Sequence, residues 1–175
     1  MAEEFNSCAK LANEQSITEA KKEYKKILKS GGDPLEVMLK MQHKLQEALY
    51  EKLPDQTFNI NDLDTIGKKY DFLRENKVAF DDEFSELVDS LPGMSLNAKD
   101  RSALWKRWKA GYKKIRNIKF SELSEEDRKE AKYEIIDMWH FMCNCFLAMD
   151  LSGEDIFEYY YTKNAENFRR YNSDY

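Results

Sequence analysis

Apolar residues recur every three to four positions along most of this chain, the spacing of helices that bury one face. Residues 1–12 read as a short helix, and Ile17 to Lys29 as a second, stopped by Ser30-Gly31-Gly32. Asp33-Pro34 restarts the chain, with Asp as N-cap and Pro at the first helical position. The helix that follows runs to Leu53. Leu35, Met38, Leu39, Leu45 and Leu49 form its apolar stripe, and Gln42 and Gln46 lie along it one turn apart. After a loop from Pro54 to Asn59, Asn61 or Asp64 opens a helical region that reaches Leu91-Pro92-Gly93, with a break expected at Asn76-Lys77. Ser95 is a candidate cap for a helix from Leu96 to Asn117. Ser124 with Asp127, and Ser152 with Asp155, give two more capping signals. The first opens a long helix to Met149 and the second a last helix. No stretch reads as a strand. The expectation is an all-α protein, one domain over residues 1–175, built as a bundle of five or six helices.

Two acidic stretches change this picture. Glu83 and Glu86 are three apart, as are Glu134 and Asp137, so each pair shares a helix face. The second pair lies on the segment Tyr133 to Met149, which is apolar nearly all round and is expected to be buried on most sides. Carboxylates there cost several kcal/mol each to desolvate unless something compensates. Two compensations are open: hard divalent cations such as Mg²⁺, which two carboxylate pairs suit, or Lys and Arg across a helix interface. Gln42 has two readings as well. It is a satisfied core amide, or a side chain that reads a base edge by donating and accepting.

Composition narrows the classes. The chain has six Gly, three Pro and 35% charged residues, which fits helices with short connections. A net charge of -5 argues against a general nucleic-acid binder but allows a local basic patch. Such a patch lies between Lys99 and Lys119, where nine Lys or Arg accompany a single acid and Trp105, Lys106, Trp108, Lys109 and Tyr112 fall close together. It is a solvated face with anchors, or a phosphate-binding surface. Lys163, Asn167 and Arg170 fall at i, i+4 and i+7 of the last helix, on one side, and suit a polyphosphate or plain solvent. Three cysteines, no signal peptide and no long apolar run point to a reduced cytoplasmic protein with no membrane partner. There is no Walker or Rossmann glycine motif. His43 and His140 are too few for a zinc site, and His140 reads as a packing or supporting residue. What remains is a Mg²⁺ site of four carboxylates beside a cationic, amide-bearing helix, a combination suited to phosphoanhydride hydrolysis.

These segments, in this order, resemble the all-α NTP pyrophosphatase superfamily of dimeric dUTPases and MazG-like enzymes. The matching stretches are Asp33 to Gln42, Asp81 to Leu87, Trp105 to Lys109, Glu134 to Phe141 and Tyr161 to Phe168. Within the superfamily the chain is most similar to the dCTP pyrophosphatase/dUTPase branch of T-even-type bacteriophages. The resemblance implies hydrolysis of dCTP, and of dUTP, to the nucleoside monophosphate and pyrophosphate. Water would attack the α-phosphorus, with Glu83 or Glu86 orienting and deprotonating it. It implies two or more Mg²⁺ per site on Glu83, Glu86, Glu134 and Asp137. Phosphate contacts would come from Lys163, Asn164, Asn167 and Arg170, further substrate contacts from the Trp105–Lys109 motif and Tyr175, and base contact from Gln42. It also implies a homodimer with sites near the subunit interface, and no stable nucleic-acid partner. If the protein is phage-encoded, the compartment is the host cytoplasm. Two features depart from the dimeric dUTPases: Gln46 stands where they carry Asn, and the chain ends Arg170-Tyr171-Asn172-Ser173-Asp174-Tyr175 rather than in their R-Q-x-x-G-Y. The rival readings are a dUTPase or broader NTP pyrophosphatase of the same fold, and a helical nucleic-acid-binding protein that uses residues 99–119.

Overall fold

The computed structural model describes residues 14–95 and 104–172, and their backbone is helical with no strand. Six α-helices occur among the described residues: α1 (Glu14–Lys29), α2 (Pro34–Lys52), α3 (Ile66–Asp89), α4 (Ala110–Arg116), α5 (Glu125–Ala148) and α6 (Gly153–Asn172). Short 3-10 turns at Ile60–Asp62 and Phe120–Glu122 complete the connections. The helix expected over residues 1–12 lies outside the described residues.

The ends of these helices follow from local chemistry. Gly31 takes a left-handed φ of +74°, which lets the Gly32 N–H reach Ile27 O at 2.9 Å and the Gly31 N–H reach Leu28 O at 3.1 Å. That double bond satisfies carbonyls the end of α1 would otherwise leave open. Asp33 caps α2 by accepting from the Leu35 N–H at 2.9 Å, ahead of Pro34. Asp150, with φ of 59°, closes α5 by the same device, the Leu151 N–H bonding Phe146 O. Ser152 and Asp155 then cap α6 reciprocally, at 2.9 and 3.2 Å.

The chain divides into two compact units. One holds Lys77–Phe141 with the start of α1 up to Glu19, and the other holds Ala20–Asn76 with the chain from Met142 on. Both α3 and α5 contribute residues to each. In the second unit Ile60, Leu63, Phe72 and Ala148 form a core, joined by Phe58, Leu73 and Leu147. Phe58 meets Phe72 edge to face, with centroids 5.5 Å apart. There α6 begins against α2: the Gly153 N–H donates to Glu36 at 3.0 Å, and a Cβ at Gly153 would lie 2.7 Å from Asp33 Oδ2. This N–H, followed by Lys40, holds the Glu36 carboxyl below its usual range.

Two expectations are corrected. No break falls at Asn76-Lys77, because the Asn76 side chain turns inward and donates to Phe72 O at 2.8 Å while α3 runs on. The basic segment is not one helix. Residues 104–109 form turns, with the Arg107 N–H on Trp105 O at 2.8 Å and the Lys109 N–H on Lys106 O at 2.9 Å, and among the segment's described residues only Ala110–Arg116 is α-helical. A helix through this run would stack Lys106 against Lys109 and Lys109 against Lys113, like charges one turn apart. The Ser95 hydroxyl is buried and donates to Asp89, while the start of the helix it was expected to cap lies outside the described residues.

Candidate active site

The acidic stretches come together. Glu83 and Glu86 on α3 and Glu134 on α5 each place a carboxylate oxygen within 4.8 Å of the others. The three-residue spacing turns each pair to one side of its helix, and α3 and α5 face one another with those sides. Glu134 is only 2% exposed, and its Oε2 is buried without a hydrogen-bond partner. Among the described residues no Lys or Arg neutralises Glu83, Glu86 or Glu134. Asp81, next to the cluster in sequence, is instead taken by Lys77.

The electrostatics are those of anions crowded together. Burial pushes the Glu134 carboxyl up to about 7, and Glu86, Asp137, Glu83 and Glu130 add to the shift. Glu83 is raised for the same reasons: burial first, then Asp137 and Glu86, with a hydrogen bond to Glu134 opposing them. Asp137 thus acts on both, although the tight group of three is Glu83, Glu86 and Glu134. An orphaned buried oxygen in a cage of carboxylates, with no cation among the described residues to balance it, fits a hard divalent cation.

Along Tyr133 to Met149 most residues are buried or half-buried, as expected, but Ile135, Ile136, His140 and Met149 are exposed, Ile135 and Ile136 at 50% and 48%, while Glu134 is buried. The carboxylate side faces α3, and an apolar side is left open.

The other predicted residues stand in separate groups. Trp105 and Trp108 are exposed and meet edge to face at 5.4 Å, with the Lys106 ammonium 5.2 Å from the Trp105 ring centre. In the second unit Lys163, Asn164, Asn167 and Arg170 lie exposed along α6. There Glu166 takes Arg169 at 2.6 Å and Arg170 at 2.9 Å, which holds its own carboxyl down to about 2. Tyr175 lies outside the described residues. Gln42 is 4% exposed, and its Nε2 donates to Asn144 Oδ1 at 2.8 Å. Asn144 and Asn76 were not singled out in the sequence, where one sits in an apolar run and the other looked like a helix breaker. A pair of buried Asn at interior helix positions is the signal that would have found them. Cys143 and Cys145 are free thiols with no part in the cluster, and burial pushes Cys143 up to about 11. Among the described residues no helix is long and apolar enough to cross a membrane.

Comparison with known proteins bears on the chemistry. No family model and no solved structure matches the chain. It is 40% identical over 171 residues to the dCTP pyrophosphatase of Enterobacteria phage T4, covering 98% of both chains. It is 41% identical over 171 residues, again 98% of both, to the dCTP pyrophosphatase of Enterobacteria phage LZ5. A third relative, a DNA replication protein of Enterobacteria phage T4, is 41% identical over 160 residues, which is 91% of this chain and 40% of that longer protein. With this identity across nearly the whole length, the chain belongs to the dCTP pyrophosphatase family represented in phages T4 and LZ5.

Proposed function

We propose that this chain hydrolyses dCTP, and also dUTP, to the nucleoside monophosphate and pyrophosphate by attack of water on the α-phosphorus. The observation that carries the reading is the orphaned Glu134 oxygen inside a carboxylate cluster, in a chain whose full-length relatives are dCTP pyrophosphatases. Glu83, Glu86, Glu134 and Asp137 would hold Mg²⁺, two or more ions per site. Bound there, Mg²⁺ supplies neutralisation of triphosphate charge and polarisation of the phosphoryl oxygens.

The chain's own residues supply the rest. Glu86 is exposed and Glu83 half-buried, so either carboxylate can accept a proton from the attacking water. Lys163, Asn164, Asn167 and Arg170 grip the phosphates and stabilise charge that grows on the leaving pyrophosphate. Arg170 must then leave Glu166, its partner here. Trp105, Lys106, Trp108 and Lys109 add an aromatic and cationic surface for the substrate, Tyr175 closes from the C-terminus, and Gln42 contacts the base. The working form is a homodimer. Phe157, Tyr160, Tyr161, Phe168 and Tyr171 on α6, with Ile135 and Ile136 on α5, are large apolar groups open to solvent in a single chain.

Incubation with Mg²⁺ and a panel of deoxy- and ribonucleoside triphosphates, with products separated by chromatography, tests this. dCTP and dUTP give monophosphate and pyrophosphate. Release of orthophosphate, or salt-sensitive DNA binding without any hydrolysis, contradicts it. Light scattering after size exclusion gives twice the 20.8 kDa chain mass for the dimer.

A further inference from the structure

The cationic stretch of α6 carries an anion of its own. Glu166 Oε2 accepts from Arg169 Nε at 2.6 Å. Its Oε1 is shared: it accepts from Arg169 Nη2 at 2.7 Å and from Arg170 Nε at 2.9 Å. Lys163, three residues earlier, adds its field to those of the arginines. Lys163, Glu166, Asn167 and Arg170 fall at i, i+3, i+4 and i+7, so the carboxylate stands inside the row of cations and amide. The two-oxygen grip of Arg169 is the geometry in which a guanidinium also takes a phosphoryl group.

An anion inside an anion-binding row opposes the ligand unless it yields. A phosphate oxygen that takes the Arg170 Nε–H displaces Glu166 from it. The pair is exposed enough to give way, with Arg170 at 49% and Glu166 at 33%. Exposed pairs of this spacing are weak. A polyphosphate carries several negative charges and wins over one carboxylate, which can take the arginine back when that ligand departs. Arg169 holds Glu166 by both oxygens and keeps the carboxylate in place meanwhile.

We infer that Glu166 is a positioning residue: a resident counter-anion that occupies Arg170 while the site is empty, yields it to the phosphates of the substrate, and takes it back as pyrophosphate leaves. This rests on the reading of Lys163, Asn167 and Arg170 as the phosphate grip. Glu166 thereby weakens the hold on substrate and on product alike, and pyrophosphate does not linger.

The test is a double-mutant cycle of Glu166→Gln and Arg170→Gln. It reads KM and kcat for dCTP and the inhibition constant of pyrophosphate, with folding checked by circular dichroism. The side chains lie on the surface of a helix, where loss of such a pair costs little, so the variants keep the fold. Glu166→Gln lowers KM and the inhibition constant together, each by about two- to fivefold, the factor that an exposed ion pair is worth. It does not raise kcat. Arg170→Gln raises KM, and adding Glu166→Gln to it changes neither constant further. A Glu166→Gln protein with KM unchanged or raised overturns the inference. So does a fall in KM that persists without Arg170, because a general change of charge on α6 would produce it. A merely structural role lowers kcat and leaves both constants in place, which also overturns it. An Arg170→Gln protein with native KM and kcat takes Arg170 out of the phosphate grip, and the inference falls with that part of the functional reading. A native chain inert toward dCTP overturns the functional reading as a whole, and the inference with it.

Discussion

Helices α3 and α5 each carry buried polar side chains in both units of the molecule, and the two sets are treated in opposite ways. In one unit Asn76 and Asn144 join Gln42 in a chain where every link has a donor, an acceptor and a fixed direction. In the other, Glu83, Glu86 and Glu134 crowd together with like charge, and one buried oxygen has no hydrogen-bond partner among the described residues. A satisfied polar network adds to the specificity of a fold, while an unsatisfied charged one weakens it. The second arrangement persists in a folded protein when a ligand supplies what the chain withholds. The contrast separates polar groups satisfied by hydrogen bonds within the chain from charged ones held ready for a ligand.

The sharpest way to break this contrast is to neutralise one carboxylate. Glu134→Gln removes a ligand from the cluster and is expected to lower kcat/KM for dCTP by about a thousandfold or more, as loss of a central charge-stabilising group does. The same substitution removes a buried charge from among its neighbours, so the metal-free variant should melt above the native chain by about 2–8 °C in calorimetry. Gain of stability with loss of activity marks a site held at the expense of the fold. The matching substitution in the amide chain has the opposite sign. Asn144→Ala strands Gln42 Nε2 and Asn76 Oδ1, and costs about 2–4 kcal/mol by denaturant unfolding.

Metal ions sharpen the comparison further. Mg²⁺ at a hundred times its dissociation constant stabilises a protein that binds it only when folded by about 2.7 kcal/mol. A thermal shift of that sense is expected for the native chain and for Asn144→Ala, and not for Glu134→Gln. The smallest effect lies at the start of α6. Gly153→Ala places a methyl 2.7 Å from Asp33 Oδ2 and 3.3 Å from Glu36 N, so the Asp33 cap or the helix must shift. The cost is about 1 kcal/mol, comparable to a lost cap, read as a lower melting temperature with the dCTP reaction unchanged.

The sequence revealed the carboxylates for a physical reason. Acids three apart on helices announce a shared face, and Glu134 and Asp137 stand out against Ile135, Ile136 and Met138. Helix ends were equally open to reading, since Ser30-Gly31-Gly32, Asp33-Pro34 and Ser152 with Asp155 act through neighbours in the chain. The amide relay was hidden because its partners are 68 and 102 residues apart. Locally Asn76 counts only as a poor helix former, and its tertiary bond overrides that preference. The Trp105–Lys109 run misled in the other direction: its spacing allowed a helix, but like charges one turn apart favour the observed turns. Exposure of Ile135 and Ile136 could not be read from an apolar sequence either, since the same residues suit a core or a surface between two chains.

One measurement addresses the central claim most directly: formation of dCMP from dCTP as Mg²⁺ is titrated, in the native chain and in Glu134→Gln, both verified as folded. The account predicts a saturable rise for the native chain from a metal-free baseline near zero, and no rise for the variant at any Mg²⁺ concentration. A Glu134→Gln protein that forms dCMP within a few fold of the native rate would contradict it, and would remove the carboxylate cluster from the reaction.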